Sequence, residues 1–486
     1  MSNSTPEHFD VVIVGAGISG IGAAVELKRS CPCKSFVMID MRDDIGGTWD
    51  LFRYPGIRSD SDMFTLGFGF KPWTAAKAIA SGPAIKEYLG ETLDEHGLAP
   101  HLRLGTKMRS AAFDSEKNRW TLELETAEGV RSLTCNFLYS GSGYYSYRGG
   151  FNPELPGEDS FAGVMVHPQQ WPEDLAYAGK RVAVIGSGAT AVTLVPSMAG
   201  QAELVTMVQR SPTYLATEPD EDEELNALRA ELGAEEAFKR IRLRNLAGQQ
   251  EKFQLARRDP ESYKQMLFDA IDALVGREIR ERHFTPSYAP WDQRVCFVPN
   301  GDLFEAITDG TAEIVTGAID TLEPAGIRMS DGTFVDADII VKATGLNLAV
   351  GGEADYFVDG EKVDFSQRYT YKGLGYSGVP NLFFAFGFLN SSWTLRLELV
   401  NRFWVGVLQR MDDLNATKVT PTLDPACTNL PQLPFIADVN SGYFQRALDR
   451  FPRQTGAAPW INPQDYEATK EMLEEDPQDG FLIFSK

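Results

Sequence analysis

The chain has 486 residues, 43% of them hydrophobic, and a formal net charge of −22 at pH 7, long enough for two or three domains with substantial cores. So acidic a balance opposes nucleic acid and anionic membranes as partners, and it requires anionic ligands to be met by local positive groups and helix N-termini. No stretch approaches twenty consecutive apolar residues and the opening MSNSTPEHFD lacks the regions of a signal peptide, so the expectation is a cytoplasmic protein with no integral membrane segment.

In chain order, the apolar run from Phe9 to Val14 reads as a strand and leads into Gly15, Gly17 and Gly20, with Asp40 closing a second apolar run about twenty residues later. This is a Rossmann opening. Gly15 allows the tight turn, Gly17 lets backbone approach a pyrophosphate, Gly20 lets the helix pack on the strand, and Asp40 can accept from ribose hydroxyls. A later strand ends in FLYSGSGYYS, where Gly141 and Gly143 mark a crossing point between domains. A linker with Pro153 and Pro156 then enters KRVAVI and a second fingerprint, Gly186, Gly188 and Ala191. The strand that follows, LVTMVQR, ends at Gln209, Arg210 and Ser211 where the first unit has Asp40. A carboxylate there would repel a 2′-phosphate, whereas a guanidinium can grip one bidentately. The first site therefore reads as FAD and the second as NADPH.

From Thr217 the acidic run EPDEDEE, expected to be a solvated helix start, gives way to a glycine-poor stretch with helical apolar spacing. FVDADIIVKATG reads as a strand completing the second sheet, and NLFFAF as a strand before a helix opening at NSSW. Asn390, Ser391 or Ser392 is positioned to cap that helix, whose N-terminus can serve the electron-rich edge of a flavin. The five cysteines, Cys31, Cys33, Cys135, Cys296 and Cys427, are scattered, and His8, His96, His101 and His283 lack ligand spacing, so neither disulfides nor a metal site is expected. The fold class expected is α/β, with two Rossmann-like dinucleotide-binding domains and a helical insertion. An FAD-binding domain comprises residues 1–146 and 348–486, an NADPH-binding domain residues 147–216 and 285–347, and the insertion residues 217–284.

The segment FAGVMVHPQQWP adds specificity. Phe161, Gly163, His167, Trp171 and Pro172 match FxGxxxHxxxWP, and the chain resembles the Baeyer–Villiger monooxygenases that bear this signature. Gly46, Gly47, Trp49, Tyr54, Pro55, Gly56 and Asp60 satisfy a second family pattern, GGxWxxxxYPGxxxD. The blocks YAPWDQRVCFVPNGDLF and NSSWTL are similar to those of the ethionamide-activating subgroup. The resemblance implies an FAD-containing, NADPH- and O2-dependent enzyme that converts apolar ketones to esters or lactones through a C4a-peroxyflavin, with sulfides or thioamides as further substrates. It leaves the ketone, the regiochemistry and the oligomeric state open.

By the same resemblance, Arg294 is the catalytic arginine that stabilises negative charge on the peroxide and on the carbonyl adduct, and Asp60 orients it. Gly47, Ser19, Thr48, Trp49 and Met108 fall at FAD-touching positions. Ser187, Gly188, Ala189, Thr190, Ala191 and Thr193 wrap the NADP pyrophosphate, and Arg58 touches the nicotinamide portion. His167 and Trp171 take a gating or linker role. Many members place lysine before the arginine to help hold the 2′-phosphate; Gln293 stands here, leaving Arg210 and Ser211 with less help and NADPH selectivity less strict. Phe386, Phe388 and Trp393 are candidates for a substrate pocket, although core packing is the commoner fate of such residues. The rival readings are an N- or S-oxygenating flavin-containing monooxygenase and a non-oxygenating regulatory flavoprotein. The absence of CxxC disfavours a flavin disulfide reductase.

Overall fold

The computed structural model describes residues 6–424, 429–437 and 441–486; Cys427 lies outside them. Two parallel sheets are each built on one glycine fingerprint. In the first, the strand Glu7–Val14 runs parallel to Phe36–Ile39 on one side and to Gly129–Ser140 on the other. An antiparallel layer, Lys107–Asp114 and Arg119–Thr126, continues from Gly129–Ser140, and Leu382–Phe384 returns late in the chain to pair with the same strand. The second sheet has five strands in the order Ala312–Thr316, Leu204–Gln209, Arg181–Ile185, Ile339–Lys342, Val164–Val166, all parallel. Parallel strands covered on both faces read as continuous apolar runs, which is why VVIV and RVAVI stood out.

The helices Glu223–Leu232, Ala234–Arg258, Pro260–Val275 and Arg277–His283 occupy the region expected to be a helical insertion. The acidic run before them is not simply solvated. Asp220 pairs with Lys77 at 2.7 Å, Asp222 and Glu224 with Arg244, and Glu218 with Lys252, while Asp222 caps the first helix by accepting from Leu225 N–H. The charges tie these helices to the first domain's loop and to one another.

FVDADIIVKATG is two strands instead of one. Phe334–Asp336 belongs to a small antiparallel sheet and Ile339–Lys342 to the second parallel sheet. The break falls at Ala337–Asp338, where the Asp338 carboxylate accepts from the backbone N–H of Arg181 at 2.9 Å and pairs with its guanidinium at 3.0 Å. Ile339–Lys342 does join the second sheet, between Arg181–Ile185 and Val164–Val166. The NSSW helix, Trp393–Asp413, starts after Ser392, whose hydroxyl is hydrogen-bonded to Thr65 at 2.6 Å and does not cap.

Candidate active site

Each fingerprint makes the same local structure. Gly15 has φ +107 and Gly186 φ +144, and a Cβ at either would fall on a crossing carbonyl, 2.5 Å from Gly141 O and 2.4 Å from Ala343 O. The two helices that follow, Ile18–Ser30 and Ala189–Met198, have Gly17 and Gly188 at their N-caps and no side-chain cap. Their first-turn N–H groups are therefore free for a ligand, and anionic oxygen suits both the orphan donors and the positive end of the dipole. Some other helices carry a side-chain cap, Gly82–Glu95 from Ser81 and Tyr466–Glu474 from Asp465, whereas Ala234–Arg258 and Trp393–Asp413 do not.

Both N-termini open into one cavity of about 1020 Å3, larger than the roughly 300–1,000 Å3 typical of drug-sized ligand sites. An ideal Cβ on Gly188 meets nothing within 4 Å. Room, uncapped donors and the carboxylate of Asp40 fit a dinucleotide at each end. Gly15, Gly17, Ser19, Asp40, Gly47, Thr48, Trp49, Arg58, Asp60 and Met108 line the cavity. Gly186, Ser187, Gly188, Ala189, Thr190, Thr193, Arg210 and Ser211 of the second fingerprint line it as well, as does Arg294. Gly20 and Ala191 do not reach it. Gly20 sits where a Cβ would lie 1.8 Å from Gly15 O, and Ala191 is fully buried under the second sheet, so both act by packing.

Asp40 is nearly buried, and its oxygens accept from the N–H of Ala16 at 2.7 Å and of Arg42 at 2.9 Å. Burial raises its pKa, and the backbone donors oppose that rise. Ser19 accepts from the Trp393 indole at 3.0 Å, which anchors the aromatic wall of the cavity. Arg58 does not reach freely into the space: its guanidinium makes a two-pronged pair with Asp302, the longer contact 3.2 Å. Arg210 is exposed at the rim and has no ion-pair partner among the described residues.

Arg294 and Asp60, 234 positions apart in sequence, meet at 2.9 Å. Asp292, the nearer acid in sequence, pairs instead with Arg257 at 3.0 Å. About a third of each partner's side chain remains uncovered, and that surface faces the cavity. The Asp60 carboxylate, followed by neighbouring phenols, holds the Arg294 pKa above the usual guanidinium value, so the group is a fixed cation. Those phenols, Tyr443, Tyr144 and Tyr145, are kept neutral by burial, and the Tyr144 and Tyr145 hydroxyls share a 2.9 Å hydrogen bond. Tyr144 stacks on Trp393 with ring centres 5.1 Å apart. Cys296 also lines the cavity, its thiol pushed up to about 12 by burial.

Tyr144 and Tyr145 are neighbours in the loop after Gly129–Ser140, with no sequence signal beyond the aromatic richness of GSGYYSY, and Tyr443 comes from the short helix Gly442–Gln445 far along the chain. Phe388 and Trp393 line the cavity; Phe386 packs in the core against Tyr144 and Phe435. His167 and Trp171 do not line it. His167 Nε2 lies 3.2 Å from Gly345 O and its Nδ1 accepts from Gln169 N–H at 3.2 Å, which specifies a neutral ring protonated on Nε2. Burial lowers its pKa accordingly. The ring thus ties the linker to the loop leaving Ile339–Lys342, while Trp171 is half-buried beside the core of the second sheet.

Residues 13–80 match the NAD(P)-binding Rossmann-like domain family. The chain is 46% identical to the FAD-containing monooxygenase EthA of Mycolicibacterium smegmatis over 97% of its own length and 96% of the relative's. It is 42% identical to the probable FAD-binding monooxygenase AlmA of Acinetobacter baylyi, over 99% and 97%. Among solved structures, an oxidized steroid monooxygenase bound to NADP superposes with a TM-score of 0.79 at 23% identity, covering 99% of this chain and all of that one. At that identity the superposition shows a shared fold.

Proposed function

The chain belongs to the FAD-containing monooxygenases, and from that membership we propose that it is a Baeyer–Villiger enzyme, using NADPH and O2 to convert apolar ketones to esters or lactones. The observation that supports this reading best is the Arg294–Asp60 pair at 2.9 Å, set in the cavity that both fingerprints open into. When bound, FAD supplies hydride acceptance from NADPH and the activation of dioxygen. Gly15, Gly17, Ser19, Asp40, Gly47, Thr48, Trp49 and Met108 would hold it, with the N-terminus of Ile18–Ser30 at its pyrophosphate. The second fingerprint, with Arg210 and Ser211 at the 2′-phosphate, would hold NADPH.

Oxygen insertion beside a carbonyl places negative charge first on the attacking oxygen and then on the carbonyl oxygen. Arg294 carries its N–H donors in a rigid fork and stays charged at every working pH. Held by Asp60, it needs no reorganisation as that charge develops, which is where electrostatic catalysis gains most. Neutral Tyr144, Tyr145 and Tyr443 beside it offer hydroxyl hydrogen bonds without adding negative charge. His167, already bonded on both ring nitrogens, serves the linker as a positioning residue and takes no part in proton transfer.

Aerobic incubation of the purified protein with NADPH and a ketone panel tests the proposal by scoring ester mass against hydrogen peroxide. Ester or lactone from at least one apolar ketone is expected. Sulfoxide from a sulfide panel with no ester from any ketone would replace the reading with that of an S-oxygenating enzyme.

A further inference from the structure

A second cavity, about 20 Å3 in volume, abuts the large one and shares Arg294, Ser441 and Tyr443 with it. Its far side is closed by Phe253, Trp291 and Leu389. The space holds about one water-sized probe, so it is a slot. On its polar side, Leu389 N–H donates to Gln464 Oε1 at 2.8 Å and Asn390 Nδ2 to Gln464 O at 2.7 Å.

Trp291 is the unusual member. Asp292 N–H donates to Ala289 O at 3.1 Å, closing a turn with Pro290 second and Trp291 third, and Trp291 has φ +68. That place in such a turn calls for glycine or asparagine, and a bulky side chain with positive φ is an outlier that persists only where its surroundings fix it. Arg257 does the fixing. Its guanidinium donates to Trp291 O at 2.9 Å, pairs with Asp292 at 3.0 Å, and lies 5.3 Å from the centre of the Phe253 ring. Phe253, on the helix Ala234–Arg258, meets the Trp291 ring edge-on at 5.6 Å. One arginine thus clamps both halves of an aromatic plug directly behind Arg294. Backbone conformation disfavours tryptophan here, so the side chain accounts for its presence.

We propose that Trp291, backed by Phe253, is a specificity-determining residue that stops the apolar arm of the substrate beyond Arg294 and so sets how long an arm the ketone can have. The inference rests on the ketone reading above. A carbonyl facing Arg294 from the large cavity has its second substituent directed past the guanidinium into the slot, where the plug ends it.

The test measures ester kcat/KM for unbranched methyl ketones of increasing length, using the FAD-loaded full chain as wild type, Trp291→Gly, Trp291→Phe and Phe253→Ala. Glycine suits φ +68, so Trp291→Gly removes the plug without disturbing the turn. Its preference for long over short ketones should rise by about tenfold or more, in line with the roughly 10–200-fold that one methylene decides in an apolar pocket. Phe253→Ala should shift the preference the same way, Trp291→Phe should stay near wild type, and NADPH oxidation without ketone should be unaltered in all three. Should Trp291→Gly fail to fold, Phe253→Ala decides alone. An unchanged length preference in these variants, with wild type forming ester, overturns the plug but leaves the ketone reading standing. No ester from wild type with any ketone overturns both.

Discussion

Replacing Arg294 by alanine separates hydride transfer from oxygen insertion. The guanidinium is the cation paired with Asp60 at 2.9 Å, and losing one preorganised donor to a developing oxyanion costs about 10²–10³-fold, or ~2.7–4 kcal/mol. The substitution also leaves the Asp60 carboxylate facing the cavity without its partner, and that uncompensated charge opposes a second negative charge nearby, so the loss of ester formation should lie at the upper end of that range or beyond. Asp60→Asn in the same background removes the repulsion without restoring the donor, and the double variant should recover part of the loss at most. Lysine should rescue poorly, because a point charge on a flexible stem cannot present two donors in one plane. FAD content should survive in every variant, since the first fingerprint and Asp40 are untouched, and NADPH oxidation should continue with electrons appearing as hydrogen peroxide. The assay follows ester by mass, peroxide by a coupled peroxidase and flavin by absorbance. Ester from Arg294→Ala at close to the wild-type rate would refute the assignment and require another cation at the reacting oxygens.

Arg210→Ala should raise the KM for NADPH by about ten- to a hundredfold, the equivalent of one charge-assisted contact of roughly 1.5–3 kcal/mol, while barely changing the KM for NADH; equal losses with both nucleotides would remove Arg210 from the 2′-phosphate. Burial lowers the pKa values of His96, His167 and His283, so below about pH 6.5 the unfolded chain binds protons that the folded one resists, and stability should be full above that pH and decline beneath it. A melting temperature that does not fall between pH 7.5 and 5.5 would contradict this. Gly56 has φ +75, and a Cβ there would lie 1.7 Å from Ser197 Oγ on the helix of the second fingerprint. Gly56→Ala should therefore cost about 1–3 kcal/mol by overpacking, with Ser197→Ala in the same chain recovering part of it in thermal melts.

The two dinucleotide sites were legible because their determinants are local. A strand, three small residues and a helix lie within about thirty residues of one another, and each residue type answers a backbone need that no other type meets. The pairing of Asp60 with Arg294 could not be read from spacing, since the residues stand on different sheets' loops; only the resemblance brought them together, and Asp292 was the closer partner by sequence. Tyr144, Tyr145 and Tyr443 escaped notice for the same reason. Where the reading of FVDADIIVKATG as one strand failed, propensity was overruled by the bonds that Asp338 makes to Arg181, because a carboxylate that satisfies a neighbouring strand's end cannot also stay in line with its own. The acidic run misled differently: composition records charge, and only the fold records that Lys77, Arg244 and Lys252 stand opposite.

On the proposed reading, the disposition of cations around the cavity would divide the work between binding and chemistry. In a chain of net charge −22, an unpaired arginine deep in a cavity would attract whichever anion arrived first, including the phosphates of the cofactors. Arg58 and Arg294 are each committed to a carboxylate, Asp302 and Asp60, and Arg446 lies over the Phe151 ring at 3.6 Å. Arg210, at the rim beside the second fingerprint, has no such partner among the described residues. A dianionic phosphate gains most from a cation that gives up no existing pair to meet it, whereas a partly formed oxyanion is better served by one already oriented. Under the proposed reading, the pairing of Arg294 with Asp60 would do two things at once: fix the fork in place, and lower the attraction of that site for a ground-state phosphate that would block it.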